Sequence, residues 1–299
     1  MSKNPNLNTI EDLNEMARQI RRDIINMLVI SQTGHSGAPL GMADIFTAMY
    51  FNKLNIDSTN VDFPERDYFF VSIGHIAPVW YATLSRRGFF PLEEMKTLRR
   101  INGRLQGHPA SPKGHGAPGV EIASGSLGQG LSVAVGMALG LRMNEKNNYV
   151  YCINGDGELQ EGQIWEAVMT AAHHKVDNLT MIVDRNRCQI DNRTENVMNL
   201  EPLADKFKAF NWKVYDIDGH NMQQILDTVE EAKHFKGQPT VIIANTLMGK
   251  GVSFMEDNYK WHGIPPTTEQ AGIALKDLLP TKYKDFFDLE EMAELLYNY

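Results

Sequence analysis

The stretch Tyr149-Val-Tyr-Cys-Ile-Asn-Gly-Asp-Gly157 decides the fold, because a short apolar run ends there in a carboxylate flanked by glycines. An apolar run without alternation reads as a strand buried on both faces, the habit of parallel sheets. Gly155 and Gly157 let the backbone turn tightly and approach a ligand, so Asp156 is presented at a strand's carboxyl end. Similar runs lie at 68–73, 179–183, 212–217 and 240–244. Helix-like spacing occupies 127–143, 161–174, 200–210 and 222–235, and residues 9–32 form an amphipathic helix opened by Thr9 with Asp12 in its first turn. Strand alternating with helix predicts an α/β fold: a mostly parallel sheet with helices on both faces, binding its ligand where the strands end. The binding domain is expected over 1–266, followed by a moderately helical tail over 267–299 that packs on the domain or on a partner.

Composition narrows the function. The 299 residues are 42% hydrophobic, ample for a sizeable core. A net charge of -8 gives no general attraction to nucleic acid or to an anionic membrane, so a phosphate-bearing ligand needs a local site. Cys152 and Cys188 fit no metal-ligand spacing and sit in apolar strand or strand-end contexts, which predicts a reducing compartment, the cytoplasm by default. Neither a signal peptide nor a membrane span is visible.

One βαβ unit after Asp156, the run 179–183 delivers Asp184-Arg185-Asn186, which puts a second side-chain oxygen at a neighbouring strand end. Magnesium takes about six oxygens and is usually held by one or two protein groups together with phosphates and water. Asp156, Asn186 and the carbonyl of Cys188 would suffice. In the competing reading Gly-Asp-Gly is an ordinary strand-to-helix turn with Asp156 as a cap; the spacing to Asn186 favours the metal. Other phosphate and metal motifs fail. Gln160 stands where a dinucleotide fingerprint needs its third glycine, Met248-Gly-Lys-Gly251 lacks the rest of a P-loop, and 156–161 lacks the alternating oxygens of an EF-hand.

The densest irregular stretch, 102–130, is rich in glycine, and a loop of that length inside a domain is usually functional. Gly125, Gly128 and Gly130 precede a helix of small residues, where unpaired amides can meet a phosphate; close packing of that helix is the alternative. His35, His75, His108 and His262 each sit in a loop motif flanked by Gly or Pro, whereas His173 and His174 lie on a helix and read as surface residues. Imidazole serves as acid or base near neutral pH.

Together these residues resemble the thiamine diphosphate and magnesium motif, and the surrounding sequence resembles transketolase. The resemblance is carried in order by Gly34-His35-Ser-Gly-Ala-Pro-Leu-Gly-Met42, Ser72-Ile-Gly-His75, Gly107-His-Pro109, Gly125-Ser-Leu-Gly-Gln-Gly130, Leu159-Gln-Glu-Gly162 and Trp261-His-Gly263. It spans residues 10–266, the first half of a typical transketolase, so the chain resembles the N-terminal subunit of a split enzyme.

The resemblance implies transfer of a two-carbon ketol unit between sugar phosphates, pentose phosphates by default, with thiamine diphosphate and Mg2+, for which Ca2+ or Mn2+ substitutes. It implies that His35 and His262 lie near the reacting oxygens, His75 near the diphosphate and His108 near the donor's terminal hydroxyl. Gly125, Leu127, Gly155, Asp156, Gly157 and His262 would touch the cofactor, while Glu161, also at the cofactor, and Glu166 would lie at the subunit boundary. Lys250 would pair with the diphosphate or remain a solvated lysine. Asp156, Asn186 and Cys188 would hold the metal; Arg185 stands where many thiamine enzymes carry an amide or acid. The glutamate that protonates the thiamine ring would come from a partner chain with the pyrimidine-binding domain, in a heterotetramer with two copies of each chain. The alternatives are another thiamine diphosphate enzyme (a deoxyxylulose phosphate synthase or a 2-oxo acid dehydrogenase subunit) and a cofactor-binding module without catalysis.

Overall fold

The computed structural model describes residues 6–111 and 115–289. Five parallel strands form one sheet in the order β1-β2-β3-β5-β4: β1 Tyr68–Val71, β2 Val150–Gly155, β3 Leu179–Arg185, β4 Lys213–Asp218 and β5 Thr240–Asn245. Register follows the apolar runs, with Cys152 opposite Phe70 and Met181, and Ile182 opposite Ile242. β3 is buried along its whole length, whereas the edge strand β4 is half-exposed.

Alternate strand residues feed two cores. Phe69, Val71, Tyr151, Ile153, Ile182 and Ile242 face one side, where α1 (Ile10–Ser31), α2 (Gly37–Ala48) and α3 (Ala77–Arg87) pack. Phe70, Val150, Cys152, Met181, Val183 and Ile243 face the other, covered by α4 (Gly130–Met143) and α5 (Gly162–His173). The chain then adds the short helix α6 (Thr194–Val197), α7 (Leu203–Ala209) on the second face, α8 (Met222–His234) on the first, and α9 (Thr268–Asp277) against α1. Each fully buried Leu or Ile contributes about 1.5–3 kcal/mol of transfer free energy, so the two apolar layers dominate stability. No described helix is long and apolar enough to cross a membrane.

The first helix opens as its sequence predicts, with the Thr9 hydroxyl oxygen accepting from the Asp12 amide. The strands β2 and β3 run two residues past the predicted ends, which brings Gly155, Asp184 and Arg185 into the sheet. α4 begins at Gly130 rather than 127, because Gly125 and Gly128 hold positive φ and keep the preceding turn irregular. α2 has no apolar stripe to announce it: it is buried on every side. Its Gly41 lies so close to the later chain that a Cβ there would sit 2.9 Å from the Leu247 carbonyl oxygen.

The tail up to Leu289 joins the first core. A capping box on Thr267 and Gln270 starts α9, Phe286 and Phe287 are buried, and Arg22 donates to the carbonyls of Leu275 and Leu279 and to Asp285. The last part of the expected helical tail, 290–299, lies outside the described residues. Beneath, Asp23 pairs with Arg86 through two contacts of 2.7 Å, both groups buried.

Candidate functional site

At the carboxyl ends of β1, β2 and β3 the chain leaves a cavity of about 360 Å³, in keeping with ligand binding beyond the strand ends of parallel sheets. Its wall combines His35, His75, His108 and His262 with Gly125 and Leu127, the Gly155–Asp156–Gly157 turn, Glu158, Glu161, Asp184, Asn186 and Cys188. Two larger grooves lie away from the strand ends: one beside Glu94 and Arg104 is lined by a single histidine, His115, and one beside Lys276 and Asp285 by none.

The four imidazoles arrive from four separate segments. Ring centroids are 5.2 Å apart for His35 and His75, 5.0 Å for His75 and His262, 5.4 Å for His35 and His262, and 6.1 Å for His35 and His108. Burial holds all four below the ordinary imidazole range. For His35 the value falls to about 4, burial acting first and repulsion from His262, Arg99 and His108 adding to it. The cluster is therefore neutral at pH 7, each ring offering one donor and one acceptor. The Nδ1 atoms of His35 and His262 are buried without a protein partner. A polar atom left so costs about 1–3 kcal/mol, which marks a place for a ligand or water.

Asp156, 2% exposed, sits at the turn after β2 and does cap the short 3-10 turn that follows: its Oδ1 accepts from the Gly157 amide at 2.7 Å. Capping and ligation are compatible here, since Oδ1 keeps lone-pair capacity toward the cavity. Oδ2 accepts from Arg185 Nη1 at 2.9 Å and from the Arg187 amide at 2.6 Å. Burial raises the Asp156 carboxyl and the Arg185 guanidinium beside it opposes that rise. Asn186 Oδ1 accepts from the Cys188 amide at 2.9 Å, while its Nδ2 donates to Asp184 Oδ2 at 2.8 Å. Asp156, Asn186 and Cys188 thus border one cavity. Among the described residues no group of three or more His, Cys, Asp or Glu side chains is placed to hold a metal ion.

Other positions depart from the sequence reading. Lys250, half-buried, does not line the cavity; its loop is tied to α2 by the Gly249 amide on the Gly37 carbonyl. The amides of Gly128 and Gly130 are not open to a phosphate. They donate inward, to Glu158 Oε1 at 2.7 Å and to Ser72 Oγ at 3.1 Å. Glu161 borders the cavity and is exposed, as is Glu166. Arg185, 1% exposed, binds Glu195 and Glu201 as well as Asp156, which closes the loop after β3 onto the turn after β2. Sequence reasoning missed Glu158, a buried carboxylate. It follows the Gly-Asp-Gly turn directly and lies before the helix-like stretch at 161–174, so no periodicity marks it as buried.

The chain matches the family described as transketolase, thiamine diphosphate binding domain, over residues 12–294. It is 41% identical to 6-deoxy-6-sulfo-D-fructose transketolase subunit SqwG of Clostridium sp. (strain MSTE9), across 89% of this chain and 96% of that protein. It is 38% identical to an apulose-4-phosphate transketolase subunit of Actinobacillus succinogenes, across 92% and 99% respectively. The crystal structure of transketolase from Campylobacter jejuni superposes with a TM-score of 0.86 at 32% identity, covering 96% of this chain and 47% of that one. The chain therefore spans about half the length of that solved transketolase, and nearly all of the two subunits.

Proposed function

This chain belongs to the transketolase, thiamine diphosphate binding domain family, and from that membership we propose that it is the diphosphate-binding subunit of a two-chain transketolase. The reaction is transfer of a two-carbon ketol unit from a ketose phosphate donor to an aldose phosphate acceptor. The single observation that carries this reading is the convergence of four neutral imidazoles with Asp156 and Asn186 around one cavity.

The residues present fit a magnesium diphosphate. Asp156 Oδ1, Asn186 Oδ1 and the Cys188 carbonyl would hold Mg2+, with diphosphate oxygens and water completing its shell. When bound, thiamine diphosphate supplies an electron sink for breaking the bond beside a ketone. The chain's own part is to place, shield and exchange protons. Leu127, Ile190 and Val197 give the cavity an apolar rim that excludes water from a ring seated there. Neutral His35 and His262, their Nδ1 atoms unpartnered, are placed to take a proton from a substrate hydroxyl and return it, since an imidazole kept neutral is a ready base at pH 7. His75 and His108 widen the same donor and acceptor wall. Glu161, exposed at the cavity, and Glu166, exposed on α5, are assigned to the boundary with another subunit.

The partner contributes the pyrimidine-binding half, and the assembly holds two copies of each chain. The relatives' names support this reading in naming subunits that act on phosphorylated or sulfonated sugars. The test is to titrate the chain with thiamine diphosphate and Mg2+, alone and mixed with the complementary subunit, and to assay ketol transfer. Activity that appears only on mixing supports the proposal. Full-rate transfer by the isolated chain refutes the two-chain reading, and binding without transfer in every pairing favours a non-catalytic module.

A further inference from the structure

One buried side chain holds three segments of the cavity together. Glu158, 2% exposed, receives four hydrogen bonds. Its Oε1 accepts from the Gly128 amide and the Ser72 hydroxyl, its Oε2 from Asn154 Nδ2 at 2.8 Å and the Gly155 amide at 3.2 Å. Ser72 extends the grip by accepting from the Gly130 amide. Ser72 lies just past β1, Asn154 and Gly155 end β2, Gly128 belongs to the loop that carries Gly125 and Leu127 to the cavity, and Gly130 opens α4.

The loop is seated without slack on this grip. A Cβ on Gly74 would lie 2.7 Å from the Ser124 carbonyl carbon and 2.8 Å from the Gly125 nitrogen. A side chain at position 74 therefore has no room against this loop. Four donors to one side chain demand four acceptor positions, which a carboxylate has and an amide lacks. The amides at the start of α4 need partners in any case; spending them on Glu158 and Ser72 fixes the loop before a ligand arrives.

We propose that Glu158 is the positioning residue of the cofactor cleft: by binding the Gly128 amide and the end of β2 with one carboxylate, it sets the spacing between Leu127 and Asp156. The inference rests on the cleft being the thiamine diphosphate site. Its four acceptor positions are taken by protein donors, so it acts through the loop and the turn.

The test compares the full chain with Glu158→Gln, Ser72→Ala and Thr180→Val. Thr180 lies at the opposite end of β3, buried and bonded to the Tyr149 hydroxyl, and its loss serves as a control for stability alone. Two readouts are taken: amide exchange at Gly128 and Gly130 in the free chain, and affinity for thiamine diphosphate with Mg2+, in the assembled protein if the chain alone does not retain it. Glu158→Gln is expected to raise exchange at both amides and to weaken cofactor binding at least tenfold at a temperature where it is folded. Thr180→Val should change neither. Wild-type affinity in folded Glu158→Gln, or an equal loss in Thr180→Val, overturns the proposal. Should Glu158→Gln fail to fold, Ser72→Ala decides: unchanged exchange at Gly130 and unchanged affinity overturn it, faster exchange with weaker binding upholds it. If the wild-type protein binds no cofactor, the functional reading falls by itself, while exchange in the free chain still tests the clamp.

Discussion

His35 and His262, drawn from opposite ends of the chain, meet edge to face with ring centroids 5.4 Å apart. Neither ring has a protein partner for its Nδ1, so the pair is held by packing rather than by bonds that define a structural role. In the assembled enzyme His262→Ala should lower turnover by about 10²–10⁴-fold, the usual worth of a general acid or base, with a melting temperature close to that of the parent. Steady-state kinetics and a thermal melt check both halves; unchanged turnover would remove His262 from the chemistry.

Stability should depend on His35 in a defined acid window. Its folded value of about 4 lies below the unfolded 6.5, so the unfolded chain takes up the proton first and stability falls with pH. The contribution is intact above pH 6.5, is lost progressively down to about 4, and is constant below. The shift corresponds to a loss on the order of 3 kcal/mol. Urea titrations at pH 7, 5.5 and 4 should show the gap between the parent and His35→Gln moving by that order in favour of the variant. A gap that stays level would mean the imidazole is solvated.

Replacing Asp156 by Asn should impair metal and fold unequally. Arg185 keeps Glu195 and Glu201, so the loss of stability is about 1–3 kcal/mol, whereas Mn2+ affinity should fall at least tenfold as the charged ligand disappears. Electron paramagnetic resonance of Mn2+ and chemical denaturation measure the two separately. Retained Mn2+ binding would place the cation elsewhere.

Far from the cavity, Asp23→Ala should cost about 3–5 kcal/mol, the expected loss on breaking a buried ion pair, because it strips Arg86 of a bidentate carboxylate in the interior. Equilibrium unfolding in urea gives the number. A loss under about 1 kcal/mol, the range of exposed pairs, would show that the pair contributes nothing beyond packing.

Much of this arrangement was legible because parallel strands leave continuous apolar runs and because Gly-Asp-Gly at a strand end has few uses. The run ending at Asp156 gave the sheet, and its βαβ distance from Asn186 brought both to one cavity wall. α2 was harder to see: a helix buried on all faces has no periodicity, and its glycines and Pro39 read locally as a loop. The amides of Gly128 and Gly130 were misjudged for a different reason. Whether an amide at a helix start is free depends on what lies behind it, and Glu158 reaches them only through folding of β2 beside the loop. Lys250 likewise carries no local mark of where its loop docks.

The fold of the last segments has a consequence for synthesis. A ribosome that has released β1, β2 and β3 has already delivered Asp156, with Asn186 next in the chain, but the ring of His262 emerges after β5 and only then can reach His35. A nascent chain at that stage lacks one of the four imidazoles that line the cavity. Translation of the final stretch, not growth of the sheet, shuts the fourth wall.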